Sequence, residues 1–174
     1  RNGVYGEMID AAQNWWGSTD INTIANMNRG LVDFSDWALD DTLTTFSGTV
    51  ITSNTNTETV FVDDDWAGLA EGTNIHFGDG EIIYYGLNAF AEIGEATADA
   101  DVLDGTTIHV APGTYTRQVI IDKNDISVVG AVNSETGERL VTLHGTDNLP
   151  VASTNTASAY YGSDDMFAVI LIDG

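Results

Sequence analysis

The sequence has no cysteine, two prolines and only five basic residues among its 174 positions. Without cysteine, neither a disulfide framework nor a thiolate metal site can form. No apolar run approaches the ~20 residues that a membrane-spanning helix needs, and no basic and apolar signal segment opens the chain. We therefore expect no membrane insertion. The first residue is not methionine, which favours a mature product, a repeat unit or a fragment.

Charge of one sign dominates the composition. The chain has 27 acidic residues and five basic ones, for a formal net charge of −22. A surface this negative repels nucleic acid and anionic lipid, and copies of the chain repel one another unless cations gather around them. We therefore expect no nucleic-acid partner and an extracellular or cell-surface setting rich in salt or calcium. Simple solubility is the alternative explanation of the charge.

Short β-type runs, broken at close intervals by Gly, Asn and Asp, fill the second half of the chain. They suit small stacked strands better than one long sheet. The runs are Thr107–Val110, Gln118–Ile121, Ile126–Val129, Leu140–Leu143 and Phe167–Ile172. The last run needs a partner strand, because an exposed apolar edge is prone to aggregate. The aliphatic side chains expected to carry stability are Ile108, Val110, Val119, Ile121, Ile126 and Val128.

One helix and one amphipathic segment are predicted. Asn88 can cap a short, Ala-rich helix in which Phe90, Ile93 and either Ala96 or Thr97 share one face. Nearer the start of the chain, an amphipathic segment carries Ile21, Ile24 and Ala25, followed by Met27 or Asn28, on its apolar side.

The order of three segments carries a family resemblance. A VDDDWAG entry, an NAFAEIGEAT helix and the phrase TIHVAPGTYTRQVIIDKNDISVVGA follow one another from residue 62 to 131. Together they resemble the N-terminal cap and first coils of the pectate-lyase-like superfamily, especially its large bacterial or archaeal surface and secreted members. The resemblance implies an all-β fold: a right-handed parallel β-helix, or solenoid, with one short N-terminal-type capping helix. It says little about activity, because fold and function separate.

Residues 1–45 resemble the opposite end of such a fold. An NWWGS element followed by VDFSDWAL is similar to the segment that closes the last coil, with Asp36 where the family usually has proline. The resemblance implies that wide aromatic side chains close the two ends. These are Trp15, Trp16, Trp37, Trp66 and Phe90. An aromatic platform that stacks on carbohydrate is the alternative.

In the predicted domain organisation, a segment that resembles the C-terminal end of a β-helix precedes a segment that resembles the N-terminal start of one. Residues 1–45 form a closing element, 46–58 a polar linker or edge strand, and 59–174 the capping helix and opening coils. This order suits either a junction between tandem repeats or chains that complete one another head to tail. Solenoid units bury their apolar faces against neighbours, so an uncapped end tends to stack.

No catalytic cluster is evident. Lyases of the pectate-lyase-like superfamily need acidic groups that bind calcium and a basic residue beside them. Hydrolases of the superfamily need two carboxylates on neighbouring strands, one protonated and one ionised. The five basic residues are scattered among turns and strand ends: Arg1, Arg29, Arg117, Lys123 and Arg139. His109 should point outward in its strand, and His76 and His144 are also expected to be solvated surface residues. The residues present therefore favour a non-enzymatic protein over an enzyme.

Two acidic clusters are candidate calcium sites, because calcium takes six to eight oxygen ligands. The first is Asp63, Asp64 and Asp65, and the second is Asp99, Asp101 and Asp104. Neither matches the spacing of an EF-hand loop, and a solvated acidic turn is the alternative for each. No other cofactor is predicted.

The function predicted from the sequence is structural. The chain is expected to be a repeat or subunit of a surface layer, adhesin or extracellular filament. Its expected partners are copies of itself, joined head to tail, or adjacent repeats. The alternative is a carbohydrate-binding or polysaccharide-processing domain whose catalytic coils lie outside this chain, with glycans as the partner.

Overall fold

The computed structural model describes residues 6–77 and 81–144, and the backbone of 170–172. The elements of this part, in chain order, are β1 (Ile9–Asp10), α1 (Ile21–Met27), β2 (Val32–Asp33), β3 (Thr52–Ser53), β4 (Thr59–Val62), a 3₁₀ helix (Asp64–Trp66), β5 (Asn74–Phe77), β6 (Glu81–Tyr84), β7 (Ala89–Phe90), α2 (Ile93–Ala98), β8 (Thr107–Val110), β9 (Gly113–Tyr115), β10 (Val119–Ile121), β11 (Ser127–Gly130), β12 (Val141–Leu143) and β13 (Ile170–Ile172). No helix among the described residues is long and apolar enough to cross a membrane.

The chain divides into two compact units. Unit 1 comprises Arg1–Asn56 and Gly68–Ala89, and unit 2 comprises Thr57–Ala67 and Phe90–Gly174. The predicted segments 1–45, 46–58 and 59–174 do not coincide with these units. The segment 46–58, predicted to be a linker or an edge strand, contains β3, which lies at one edge of the β3-β6-β5 sheet. Ile51, just before β3, is buried in the core of unit 1.

Unit 1 contains two small sheets. In the first, β1 pairs parallel with β2, with Ile9 opposite Val32. In the second, the order is β3-β6-β5, with β3 parallel to β6 and β5 antiparallel to it. Residues 78–80, between β5 and β6 in the sequence, lie outside the described part. The buried core of unit 1 consists of Ile24, Ala25, Phe34, Trp37, Ile51, Ile82, Tyr84 and Leu87.

The first helix covers the segment that was predicted to be amphipathic, although that segment was not predicted to be a helix. α1 begins after Asp20, whose Oδ2 accepts the backbone N–H of Thr23 at 3.0 Å. This bond satisfies one of the N–H groups that the first turn of a helix leaves without a partner. Ile24 and Ala25 are buried, and Asn28 rather than Met27 completes the inward face.

Asp36 forms a turn that proline could not form. Its φ is +50°, in the left-handed region, whereas proline is fixed near −65°. Its backbone N–H donates to the carbonyl oxygen of Thr49 at 2.7 Å, and its Oδ1 accepts the N–H of Gly48 at 2.8 Å. Aspartate at this position therefore has a local role, since the turn uses both its N–H and its carboxylate.

Unit 2 contains the longest run of parallel strands. One sheet has the order β11-β8-β4-β7, and β9 and β10 pair in parallel with β12 and β13. In the first sheet Val60, Ile108 and Val128 lie side by side on neighbouring strands. Residues 170–172 of the predicted final strand therefore have a partner, β10, whereas 167–169 lie outside the described part. The buried core comprises Val60, Val62, Phe90, Ile93, Ala96, Val102, Ile108, Val110, Tyr115 and Val119.

The second helix starts later than predicted. α2 begins after Glu92, and Asn88 does not cap it. The amide of Asn88 instead accepts the N–H of Tyr84 and donates to the carbonyl of Asn54. Phe90 is in β7, whereas Ile93, Ala96 and Thr97 form the buried helix face as predicted.

The predicted fold class is wrong. The chain is not an all-β right-handed parallel β-helix: its described part is mixed α/β, with 12% helix, 32% strand and several short sheets, and contains no recognisable solenoid. One of these sheets contains the antiparallel pair of β5 and β6. The physical reason is that short β-runs separated by turns specify strands locally but do not specify which strands pair.

Candidate functional site

Two features of unit 2 are candidates for function: an acidic turn and an open strand edge. The acidic turn follows β4. Asp63 has extended backbone and precedes the 3₁₀ helix, and its Oδ1 accepts the N–H of Asp65 at 3.1 Å. One carboxylate oxygen from each of Asp63, Asp64 and Asp65 lies within 4.8 Å of the others. Among the described residues, no other group of three possible ligand side chains is this close.

Asp64 is fixed by a second segment of the chain. Its Oδ2 accepts the backbone N–H of Thr114 at 3.0 Å. The close approach is possible because Gly113 has no side chain: a Cβ there would lie 2.3 Å from Oδ1 of Asp64. The predicted acidic turn is therefore held by a contact between residues 50 positions apart, which no local pattern could reveal.

The electrostatics of the turn favour a cation. Burial raises the pKa of Asp63 above its ordinary value, and the neighbouring charges of Asp65 and Asp64 add to the effect. A divalent ion would offset this repulsion, and carboxylate oxygens are the ligands that calcium prefers. Two of the oxygens already accept backbone N–H groups, so an ion would use the remaining ones together with water.

The second predicted acidic cluster does not come together. Oδ1 of Asp99 accepts the N–H of Asp101 at 2.9 Å, which closes the turn after α2. Asp104 accepts both the backbone N–H and the side-chain amide of Asn124, at 3.0 and 3.1 Å. These bonds, helped by Lys123, lower the pKa of Asp104. In the structure, Asp99, Asp101 and Asp104 therefore stabilise turns and are not gathered as ligands.

The five aromatic side chains predicted to close the ends differ in how deeply they are buried. Trp37 and Phe90 are buried, and Trp16 is half-buried, with its ring edge-on to Phe34 at a centroid distance of 6.4 Å. Trp66 is also half-buried, whereas Trp15 is exposed.

The histidines occupy surface or partly buried positions. His109 points outward as predicted, and its ring stacks on Phe61 at a centroid distance of 5.8 Å. His76 is partly buried, and its Nδ1 lies 3.2 Å from the side-chain oxygen of Asn22. His144 is exposed.

The open strand edge was missed from the sequence. All four residues of β11 are exposed, although the strand beside it, β8, buries Ile108 and Val110. Val128, Val129 and Val132 remain 42%, 44% and 58% exposed. Val128 was expected to be a core residue, and this expectation is wrong because no described strand covers the far side of β11. The alternation of apolar and polar residues predicts which face of the strand Val128 lies on. It does not predict whether another strand pairs with the far edge of β11.

No protein-family model, curated protein or solved structure matches this chain. The resemblance to the pectate-lyase-like superfamily therefore stays a prediction, and the functional argument depends on the described residues alone.

Proposed function

We propose that this chain is a structural protein of the cell surface or extracellular space, a repeat or subunit that joins copies of itself head to tail. The observation that supports this proposal is the open edge of β11. The strands β4 and β8 each have a neighbour on both sides, whereas β11 has only β8 among the described strands. An edge of this kind presents backbone groups that another chain can pair with.

The composition of the edge supports the same conclusion. Proteins that avoid association protect an edge strand with lysine, proline, bulges or inward-pointing charges. The segment Ser127–Gly130 reads Ser-Val-Val-Gly and has none of these residues. Val132, two positions further on, adds another exposed apolar side chain.

The magnitudes indicate that association needs more than apolar contact. Fully burying a valine contributes about 1.5 kcal/mol or more, so covering the exposed halves of Val128, Val129 and Val132 contributes roughly 3 kcal/mol. Association itself costs at least about 4 kcal/mol. The formal net charge of −22 adds repulsion between copies. Backbone hydrogen bonds and bound or screening cations must therefore supply the rest, which makes assembly cation-dependent and suits a saline or calcium-rich exterior.

Electron microscopy and analytical ultracentrifugation test this proposal directly. The purified chain is examined with millimolar calcium, with chelator, and with chelator plus sodium salt at matched ionic strength. We expect linear assemblies in calcium, and their loss in chelator alone. Recovery in the sodium salt would assign the cation effect to screening, and failure to recover would assign it to calcium. Compact single particles under all three conditions would overturn the proposal.

A single substitution on β11 tests whether assembly depends on this strand edge or on some other part of the surface. Val129→Lys places a charge on β11, and we expect it to abolish assembly without loss of the circular dichroism spectrum of the parent. Val50→Lys is the matched control, since Val50 lies in unit 1 and is 73% exposed. Equal assembly of the two variants would show that β11 is not the joint.

A further inference from the structure

Two residues of β11, Val128 and Gly130, help to line an apolar groove in unit 2, called here the β11 groove. Its volume is about 350 Å³, and Val110, Val128, Val132 and Val141 are among its lining residues. Arg139 is the single charged residue in that lining. No ion pair to the Arg139 side chain is formed within the described part of the chain. The groove therefore combines apolar surface with one available cation, in a chain that has five basic residues in all.

Unit 1 exposes a segment of complementary chemistry. Met8 and Ile9 are 53% and 62% exposed. β1, which includes Ile9, pairs only with β2 among the described strands, so its other edge is open. Glu7 and Asp10, both exposed, flank this apolar pair. The segment Glu7–Asp10 thus leads into the two-residue strand β1 and has an exposed apolar centre with an acid on each side.

We propose that Glu7–Asp10 of one copy enters the β11 groove of the next copy as an added strand. Met8 and Ile9 cover the exposed valines, and Arg139 pairs with the acidic flanks. The inference rests on the proposed self-association and names its two surfaces. Most surfaces of a chain with this net charge repel one another, so the single cation of the groove selects where a second copy docks. The two surfaces differ, so the contact is heterologous and extends into a filament if its rotation does not close a ring.

Disulfide cross-linking tests the pairing, because the chain has no cysteine of its own. Ile9→Cys and Val129→Cys are prepared as separate variants and mixed under mild oxidation in the cation that supports assembly. Neighbouring strands lie about 4.8 Å apart, within the Cα separation that a disulfide spans. We expect a cross-linked pair in the mixture and little in either variant alone. Val50→Cys mixed with Val129→Cys is the control and should remain uncross-linked.

Charge exchange tests the role of Arg139. We expect Arg139→Glu to weaken association about tenfold at low ionic strength, since a favourable charge contact becomes a repulsive one. A chain that carries Arg139→Glu together with Glu7→Arg and Asp10→Arg should regain most of the lost affinity. Circular dichroism and urea unfolding check that each variant folds.

The outcomes distinguish the inference from the proposed function. If the parent chain does not associate in any cation, the proposed function fails and the inference fails with it. If the parent associates but cross-links form only between like positions, or the charge exchange restores nothing, the groove assignment is wrong and self-association stands. A cross-link that joins the Ile9→Cys variant to the Val129→Cys variant, with rescue by the exchanged charges, supports both.

Discussion

A Cβ on Gly94 would lie 2.1 Å from the backbone carbonyl oxygen of Gln118, so α2 and the segment entering β10 meet at backbone distance. Glycine inside a helix costs roughly 1 kcal/mol relative to alanine. The close contact offsets this cost by letting Ile93 and Ala96 reach the buried core of unit 2. The close contact with Gln118 therefore explains why position 94, near the start of α2, is glycine.

The first prediction follows from this contact. Gly94→Ala improves helix propensity, but the added methyl group collides with backbone that has little freedom to move. Overpacking of this kind costs about 1–3 kcal/mol, so we expect a net loss of about 2 kcal/mol in the free energy of unfolding, measured with urea. Gly6→Ala is the control, because a Cβ on Gly6 meets nothing within 4 Å. Similar losses in both variants would contradict the packing argument.

The second prediction concerns Asp63 and pH. The folded-state pKa of this carboxyl is raised above its ordinary value of 3.8, chiefly by burial. The protonated form thus favours the folded chain, and its contribution is lost as pH rises from 3.8 through the folded pKa. Asp63→Asn removes the charge and keeps the oxygen that accepts the N–H of Asp65. We expect the variant to gain stability relative to the parent as urea unfolding is repeated from below pH 3.8 to neutrality.

The third prediction concerns calcium. If the acidic turn binds calcium, the parent should become more stable than Asp63→Asn when the ion is present. An ion held by the folded chain alone stabilises the parent in proportion to the logarithm of its concentration, and Asp63→Asn loses a ligand. We therefore expect the parent to gain more in melting temperature than the variant when calcium replaces chelator. Glu135→Gln, an exposed acid outside the cluster, should respond as the parent does. An equal gain in all three proteins would show that calcium acts only by diffuse screening.

Local signals in the sequence predicted several strands correctly. The alternation of Thr107–Val110 gives a strand with Ile108 and Val110 buried and His109 exposed. The same alternation could not show that β11 lies at an edge, so the burial of Val128 was wrongly predicted. Asn88 was assigned to a helix start, but its amide binds a carbonyl 34 positions away, which sequence proximity does not reveal.

The candidate sites show the same division. Asp63, Asp64 and Asp65 are contiguous, so the sequence alone brings their carboxylates together. The contact of Asp64 with Thr114, and the groove between Val128 and Arg139, depend on strand pairing. The fold class was wrong for this reason, because composition and turns specify short strands without specifying the sheets that they join.

The fourth prediction uses the buried hydroxyl of Tyr115. It donates to the carbonyl oxygen of Ala111 at 2.9 Å, and burial, with Asp64 and Asp63 nearby, raises its pKa to about 12. Tyr115→Phe leaves that carbonyl without its partner, so we expect a loss of about 1–2 kcal/mol at neutral pH. In the parent, stability that depends on the neutral phenol falls as pH rises from 10 to about 12. The variant should lack this fall in alkaline urea unfolding, and a parent-like alkaline profile would contradict the assignment.

The last prediction compares two asparagines in unit 1, both fully buried. Among the described residues neither amide atom of Asn74 has a hydrogen-bond partner, whereas Asn88 accepts the N–H of Tyr84 at 2.9 Å and donates to the carbonyl of Asn54 at 2.7 Å. Leucine has the same number of side-chain heavy atoms as asparagine. Asn74→Leu removes a buried amide whose lack of partners costs the parent about 1–3 kcal/mol. The branched leucine side chain introduces packing strain of similar size, so we expect little net change in the free energy of unfolding. Asn88→Leu leaves backbone groups unpaired and should cost at least about 3 kcal/mol. Equal losses in urea unfolding would mean that Asn74 has a partner in solution, for which a buried water is the simplest candidate.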